Sequence, residues 1–545
     1  VAMIVVVFYG IMTGLSGSTS RAVIMMGLVM IGKAKGRSAD LLTSAGIASI
    51  GMAVWNPYVI RDAGFQLSFA AVAGLAVIHP VYVQTFGKKG KLRLAFGVSL
   101  SSSLATLPIC VFYYYQFPLY GILLNLLVVP LVSCLLMSAL VTAGCGIISI
   151  KAAELAGIPA HFILILYERL CGLSEKIPFS SINVGHISVR MVLVYYLGLG
   201  VVLFILRCYA GEKNSSQSTD ENNSAGEEVN KSMRKSLGRD LTKPVRKKSG
   251  RCGRYLYGII LVILLTALYE YANLDRSFVT VFLDVGQGDG IFFRTRHGVI
   301  LLDGGSTDQK KLGQQVLEPY LKSNGISKVS YAIVSHGDQD HISGLSYLLE
   351  SDSGIQIQNL ILPIRGKEDP IYAKLGQQAR NAGAKVFWMK QGDQIRVDGL
   401  NLRCLYDGAG TDETERNNHS LLIQASYGDF GMLLTGDMSA DGELQWLERK
   451  DTLEKPVQIL KIAHHGSGYS STEPFLKEVS PKLAVISCGE GNRYGHPHVE
   501  TLERLEKEGI PWVCTRDCGA VLVEIKKRNV QVRTYKKWVW CKIFS

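Results

Sequence analysis

The stretch VSHGDQDHISG, Val334–Gly344, sets His336, Asp338, Asp340 and His341 in the pattern H-x-D-x-D-H. Four metal-capable side chains in so tight a loop exceed what one ion needs. Two ions would each take a pair and draw further ligands from elsewhere. Asp437 in LLTGD and His465 in AHHGS are the candidates, Asp437 as a bridge and His465 completing one shell. Two divalent cations about 3.5–4 Å apart activate a water and stabilise both oxygens of a displacement at phosphorus. Carboxylate at position 338, where imidazole would also serve, adds negative charge and hardness and moves preference from Zn2+ toward Mn2+ or Mg2+. The expected cofactor is therefore two divalent metal ions, with Mn2+ favoured over Zn2+ or Mg2+. The bland alternative is a polar turn with capping aspartates, and four such residues at this spacing weigh against it.

Other residues carry weaker signals. His464 and His465 are adjacent, and a surface histidine pair is the competing reading. His496 in YGHPH is either a loop histidine or a proton donor to a leaving group. His419 in NNHSLL is either a metal ligand or a bystander. Asp303 in LLDGG holds a turn or orients a ligand histidine, and Asp284 and Asp289 in DVGQGD are read the same way. Asp340, His464 and His496 are the catalytic candidates.

These residues must be positioned, and the runs before them show how. TVFLD, GVILLD, YAIVSH, MLLTGD, VQILKIAHH and LAVIS are apolar, rich in β-branched residues, and end on turn glycines or metal-capable groups. Such runs read as buried strands. Strands that share a sheet bring their ends to one edge, where distant ligands assemble on rigid supports.

The first half of the chain is different. The 545 residues are 48% hydrophobic overall, but up to Ala210 charges are sparse. Apolar stretches fall at Val1–Leu15, Ala22–Ile31, Leu41–Trp55, Phe65–Val83, Leu94–Phe112, Leu119–Gly144, Ala152–Leu173, Ile187–Arg207 and Tyr255–Ala272. A spanning helix needs about 20 residues, so the shorter ones read as re-entrant or partial. The opening AMIVVVFYGIMTG lacks a basic flank and a small-residue cleavage site, which predicts a truncated membrane segment rather than a secretion signal. Gln66, Ser68, Asn125, Glu154 and Glu168 within these stretches are expected to face a bundle interior or a water-filled path.

The formal charge of +12 is concentrated in clusters: Lys33–Arg37, Lys88–Arg93 and Lys231–Arg254. Placing every cluster in the cytoplasm is consistent with one orientation, which puts Ser277–Ser545 outside and FYYYQF at the outer interface. The domain reading is a helical membrane domain over 1–210, N-terminally truncated, a basic polar cytoplasmic linker over 211–254, a last transmembrane helix over 255–272, and an extracytoplasmic domain over 277–545. None of the 11 cysteines forms CxxC. Cys514 and Cys518 bracket TRD, and a disulfide between them is one reading for an outer domain.

The order of Asp303 in LLDGG, SHGDQDHISG, LLTGD and AHHGS resembles the metallo-β-lactamase superfamily, with Asp338 replacing the second histidine of H-x-H-x-D-H. The set FLDVGQGD, SHGDQDHISG, LKIAHHGS and NRYGHPH is narrower and resembles the outer domain of the ComEC family of DNA-internalisation (competence) proteins. SGSTSRAVIMMG, NPYVIRDAGFQLSFAAVAGL and PLYGILLNLLVVPLV resemble that family's transmembrane domain. The resemblance implies a polytopic α-helical membrane domain followed by an α/β (αββα) metallo-β-lactamase-like domain. It further implies a multi-pass protein of the cytoplasmic membrane that carries one DNA strand inward while a metal-dependent nuclease hydrolyses the other. Duplex DNA outside, a single strand in transit, the lipid bilayer and other DNA-uptake machinery are the implied partners. His336, Asp338, Asp340, His341, Asp437 and His465 are the implied ligands, with His464 and His496 near the scissile phosphate. The family usually begins with further membrane segments and an oligonucleotide-binding-fold domain, which would lie before Val1, and its third metal histidine has no secure match. Lys390, Arg396, Arg403, Arg416 and Arg493 are the candidates for attracting DNA. Two rival readings are a membrane-tethered phosphodiesterase acting on a cell-envelope phosphoester, and a channel whose metal fold is silent.

Overall fold

The computed structural model describes residues 2–12, 14, 17–36, 40–87, 90–175, 177, 180–210, 278–410, 416–449, 453–526, 529–536 and 541–542. It divides into two units, Val1–Asn273 and Leu274–Ser545. The expected linker over 211–254, the last transmembrane helix over 255–272, and Arg37, Lys88 and Lys89 lie outside the described residues.

The first unit is helical. Five of its described helices are long and apolar enough to cross a membrane: Ala63–Phe86, Lys91–Tyr114, Gly121–Ile148, Ile150–Ser174 and Val189–Ala210. Ala2–Met12 and Leu41–Trp55 are shorter and Gly17–Ala34 is less apolar, so five of the eight marked stretches that fall among the described residues qualify by length and apolarity. Ser149 alone separates the third and fourth helices, which fold back on each other. Tyr167 Oη donates to the Val128 carbonyl at 2.8 Å and Ser138 Oγ to the Ala156 carbonyl at 3.3 Å. Tyr195 and Tyr196 donate to the carbonyls of Leu104 and Ala105, binding the last helix to the second. Of the polar residues expected to face inward, Gln66 and Ser68 are half-buried, but Asn125, Glu154 and Glu168 lie on the exposed surface of the unit. The hairpin of Gly121–Ile148 and Ile150–Ser174 presents its faces outward, and its most apolar stretches are 0% and 6% buried.

The second unit is a sandwich of two sheets. Among the described residues the first has nine strands, in the order Lys385–Met389, Asn359–Pro363, Tyr331–Ile333, Val299–Leu302, Ile291–Arg294, Phe278–Phe282, Val521–Lys526, Asn529–Thr534, Cys541–Lys542. The second has seven: Gln394–Val397, Leu400–Tyr406, Leu422–Tyr427, Phe430–Leu434, Ile459–Lys461, Leu483–Ile486, Trp512–Cys514. Side chains alternate between faces with period two. Ile300 and Leu302 enter the core between the sheets, where they join Ile423 and Val485. Leu301 points the other way, toward Leu345 and Leu375 of the helices Gln339–Glu350 and Pro370–Asn381. Leu460 and Ile486 likewise pack on Trp446, Phe475 and Leu505 of three helices beyond the second sheet. The layers are helix, sheet, sheet, helix, the αββα order implied by the sequence.

Cys514 and Cys518 are both buried free thiols. They flank a single helical turn, in which Cys518 Sγ donates to the Cys514 carbonyl at 3.0 Å. Cys514 Sγ instead faces Cys488 Sγ at 3.2 Å, from the neighbouring strand end.

Candidate metal centre

Val299–Leu302 and Tyr331–Ile333 run parallel in the first sheet, and Phe430–Leu434, Ile459–Lys461 and Leu483–Ile486 run parallel in the second. The loops leaving their C-terminal ends carry Asp303, His336, Asp437, His464, His465 and Ser487. Ligands in sheet proteins gather at carboxyl ends of this kind. Asp289 arrives from the hairpin between Phe278–Phe282 and Ile291–Arg294.

These loops are sewn together through backbone. Asp289 N–H donates to the Asp340 carbonyl at 3.0 Å, Gly305 N–H to the Asp289 carbonyl at 3.0 Å, and Gly304 N–H to the His341 carbonyl at 2.8 Å. Gly288 and Gly305 are required by this approach. A Cβ at Gly288 would strike the Gly305 and Asp340 carbonyls, and one at Gly305 would strike the Asp340–His341 peptide. Asp303, His464 and His465 hold φ of 57°, 49° and 55°. Left-handed backbone at such residues costs of order 1–3 kcal/mol each and persists where the surroundings over-determine it.

Asp437 is the hub. Its Oδ1 lies 3.4 Å from His341 Nε2, and its Oδ2 lies 3.4 Å from His465 Nε2 and 3.8 Å from His336 Nε2. His465 Nε2 is also 3.4 Å from Asp340 Oδ2, and His336 Nε2 is 3.9 Å from Asp338 Oδ2. The rings are aimed from behind. His341 Nδ1 meets Asp303 Oδ2 at 3.0 Å, and Asp303 Oδ1 accepts from Ser335 N–H at 2.7 Å. His465 Nδ1 meets the Ser487 carbonyl at 2.9 Å. With the Nδ1 protons so committed, both Nε2 lone pairs turn inward. Asp338 stands at the start of the helix Gln339–Glu350, yet its carboxylate does not cap it. One oxygen faces His336 and the other lies 3.5 Å from Arg416, which is itself bonded to Asp369.

Whether a metal fits is decided by what these atoms lack. His336 Nε2, His341 Nε2, His465 Nε2, Asp437 Oδ1 and Asp289 Oδ1 are buried with no hydrogen-bond partner among the described residues. A buried polar group left unmet costs roughly 1–3 kcal/mol. Atoms of Asp289, His341, Asp437 and His465 lie within 4.8 Å of one another. A nitrogen-and-oxygen donor set without thiolate suits divalent cations such as Zn2+ or Mn2+, and the residues fit.

The charges tell the same story. Burial opposes charging of His341, but Asp437 and Asp303 outweigh it and hold the imidazole well above its ordinary range. Burial likewise opposes His465, yet Asp437 and Asp289 raise it to about 10. His336 is driven well below its ordinary range by burial and then by His341. Burial works against the charge on Asp437 and Asp340 too, but His465 and His341 hold both carboxyls below the usual range.

Lys461 is fully buried within this cluster. Its Nζ pairs with Asp289, donates to the Gly436 carbonyl at 2.8 Å and lies 3.6 Å from Asp437 Oδ1. Two histidines complete one wall. His464, about a third exposed, has Nε2 3.8 Å from Asp437 Oδ2, and its ring centre is 5.7 Å from that of His496. Gln287 Nε2 lies 3.4 Å from His496 Nδ1. Burial, then the nearby His465 and His464, pushes His496 down to about 4, so it stays neutral at pH 7.

Comparison with known proteins agrees with this geometry. Residues 1–208 match the family model of competence proteins, and residues 283–490 match that of the metallo-beta-lactamase superfamily. The chain is 28% identical over 537 residues to ComE operon protein 3 of Bacillus subtilis (strain 168), a match covering 95% of this chain and 63% of that one. It is 30% identical over 270 residues to Competence protein ComA of Neisseria gonorrhoeae, covering 49% and 35%. The chain thus carries a competence domain followed by a metallo-beta-lactamase domain. It spans less than two thirds of the length of these relatives. Among solved structures, the metallo-beta-lactamase fold protein YhfI of Bacillus subtilis is 13% identical with a TM-score of 0.33, covering 46% of this chain and 100% of that one.

In this chain all eight residues singled out as ligands or catalytic groups come to one place: His336, Asp338, Asp340, His341, Asp437, His464, His465 and His496. Asp289 joins them as a potential donor, whereas the sequence offered it only for turn-holding or orientation. Asp284 does not join; it pairs with Lys536 at 3.2 Å. His419 is buried beside Tyr372, ring centres 6.3 Å apart. Lys461 gave no signal in sequence, because a lysine two residues before AHHGS reads as solvent-facing. Its strand-end position between two aspartate-bearing loops is what draws it inside. Of the basic residues proposed to attract DNA, Arg416 borders the centre, while Arg403 on the strand Leu400–Tyr406 pairs with Glu454.

Proposed function

We propose that the chain is part of a DNA-uptake channel of the cytoplasmic membrane, and that its second unit is an extracytoplasmic metal-dependent phosphodiesterase that hydrolyses the strand not carried inward. The observation that carries the nuclease reading is the convergence of three unpaired imidazole Nε2 atoms on Asp437. The competence family model over residues 1–208 and the likeness to ComE operon protein 3 support the transport reading, and the basic clusters support the orientation.

His336, Asp338, Asp340, His341, Asp437 and His465 would hold the cations. Asp289, Asp303, Asp338, Asp340 and Asp437 set against the ammonium of Lys461 leave a formal charge that two divalent cations would balance. A cation pair held there supplies Lewis acidity toward the oxygens of a phosphodiester. The chain's own groups do the rest. Asp303 and Ser487 fix the ring planes of His341 and His465. Gln287 occupies Nδ1 of His496, so its Nε2–H is free to donate to a phosphoryl oxygen. His464, partly exposed beside Asp437, is placed to contact the same group. Mn2+ is the preferred ion because carboxylate replaces imidazole at Asp338.

Full-length protein in detergent, supplied with Mn2+ and end-labelled linear DNA, tests this. Cleavage that Asp340→Ala abolishes is expected. Hydrolysis of a small phosphodiester without DNA cleavage would favour a cell-envelope phosphoester as substrate. No hydrolysis with any divalent metal would leave a channel with a silent metal fold.

A further inference from the structure

Beside the metal centre lies a cavity of about 430 Å³ that the chemistry above does not use. Its walls come from three places. Ser306, Thr307 and Lys310 follow the strand Val299–Leu302, Gln339 and Ser343 belong to the helix after Asp338, and Arg493 comes from the loop after Leu483–Ile486. Gln339 directly precedes Asp340, so the cavity opens next to the ligand loop. Asp308 also borders it, but its carboxylate accepts the Gln287 N–H at 3.0 Å and is tied into the loop that reaches His496.

Three features point to one ligand chemistry. Lys310 is exposed and makes no ion pair among the described residues. Arg493 faces it from a separate loop and lies over the ring of Tyr494, guanidinium carbon 4.8 Å from the ring centre, with Nη2 donating to Tyr494 Oη at 2.6 Å. Tyr494 is exposed, and its ring is nearly parallel to that of His496, stacked with centres 5.6 Å apart at 21°. Two cations around a polar cavity and an exposed aromatic stacked on His496 beside it make the pattern that holds single-stranded nucleic acid.

Resting on the phosphodiesterase reading, we propose that Lys310 and Arg493 grip a backbone phosphate next to the scissile one, and that Tyr494 stacks the base between them. The cavity volume is within the range of small-ligand sites. Stacking on Tyr494 needs an unpaired base, so the strand at this subsite is single-stranded. One stacking face and phosphate contacts carry no base code, so binding is indifferent to sequence.

Anisotropy of a fluorescent single-stranded oligonucleotide, with full-length protein in detergent and Ca2+ in place of Mn2+, reads the subsite without cleavage. Lys310→Ala, Arg493→Ala and Tyr494→Ala should each weaken binding by about tenfold. Each of the two charge removals should also flatten the slope of log affinity against log salt by about 0.7. A matched duplex without free ends should be insensitive to Tyr494→Ala. Unchanged affinity and salt slope in the Lys310→Ala, Arg493→Ala double variant would overturn the proposal, whether or not the wild-type protein cuts DNA. Where cleavage is seen, the double variant should lose at least about tenfold more kcat/KM on the oligonucleotide than on a small chromogenic phosphodiester. Equal loss on both would also overturn it.

Discussion

Asp437 places two oxygens among three imidazoles, and the charge state of those imidazoles sets how tightly a cation is held. His341 and His465 have raised affinities for protons, so at neutral pH a cation must displace protons to bind. Metal affinity should therefore fall on acidification, about tenfold per pH unit for each proton released. Calorimetric titration with Mn2+ in buffers of different ionisation enthalpy would count those protons. Asp303→Asn leaves the ligand shell intact but removes the carboxylate behind His341. It should weaken metal binding by about 10–100-fold, read by competition with a chelating dye. His496 has the opposite sign. Its folded pKa of about 4 is depressed from the ordinary range, so acidification through about 6.5 toward 4 should favour the unfolded state. His496→Gln should flatten that part of the stability–pH curve, measured by denaturant unfolding.

At the scale of elements, the centre depends on three loops locked by backbone bonds. Gly288 and Gly305 fall where any side chain would meet another loop's peptide. Gly305→Ala should destabilise the second unit by of order 3 kcal/mol and lower metal occupancy together, because the same displacement moves Asp340 and His341. Circular dichroism melting and metal content by mass spectrometry would check both. The strand runs were legible because each is apolar and ends on a turn signal. Which strands pair was not. Asp289 shows the consequence: it is an ordinary hairpin residue in sequence and a donor only once its hairpin abuts the helix start at Asp340. Lys461 was illegible for the same reason, since its burial comes from Asp289 and Asp437, both distant in sequence.

For the whole molecule, the membrane unit and the sheet unit answer to different solvents. The exposed polar residues Asn125, Glu154 and Glu168 sit on helices whose surroundings are apolar, a costly arrangement in lipid. The orientation deduced from the basic clusters predicts that single cysteines introduced in the sheet unit, for example at Glu490, react with a membrane-impermeant maleimide in intact cells. Cysteines at Ser236 in the basic linker should react only after lysis. The reverse labelling would invert the proposed topology and place the proposed phosphodiesterase on the cytoplasmic side.

The sequence by itself determined the class of chemistry, the division into an apolar and a mixed half, and the ligand loop. Those depend on residue type and short spacing, which local physics fixes. Tertiary structure alone decided that Lys461 and Asp289 belong to the cluster, that Cys514 faces Cys488, and that Lys310 and Arg493 share a cavity. Each of these joins groups many residues apart, through strand pairing within a sheet or through the two sheets burying their apolar faces together.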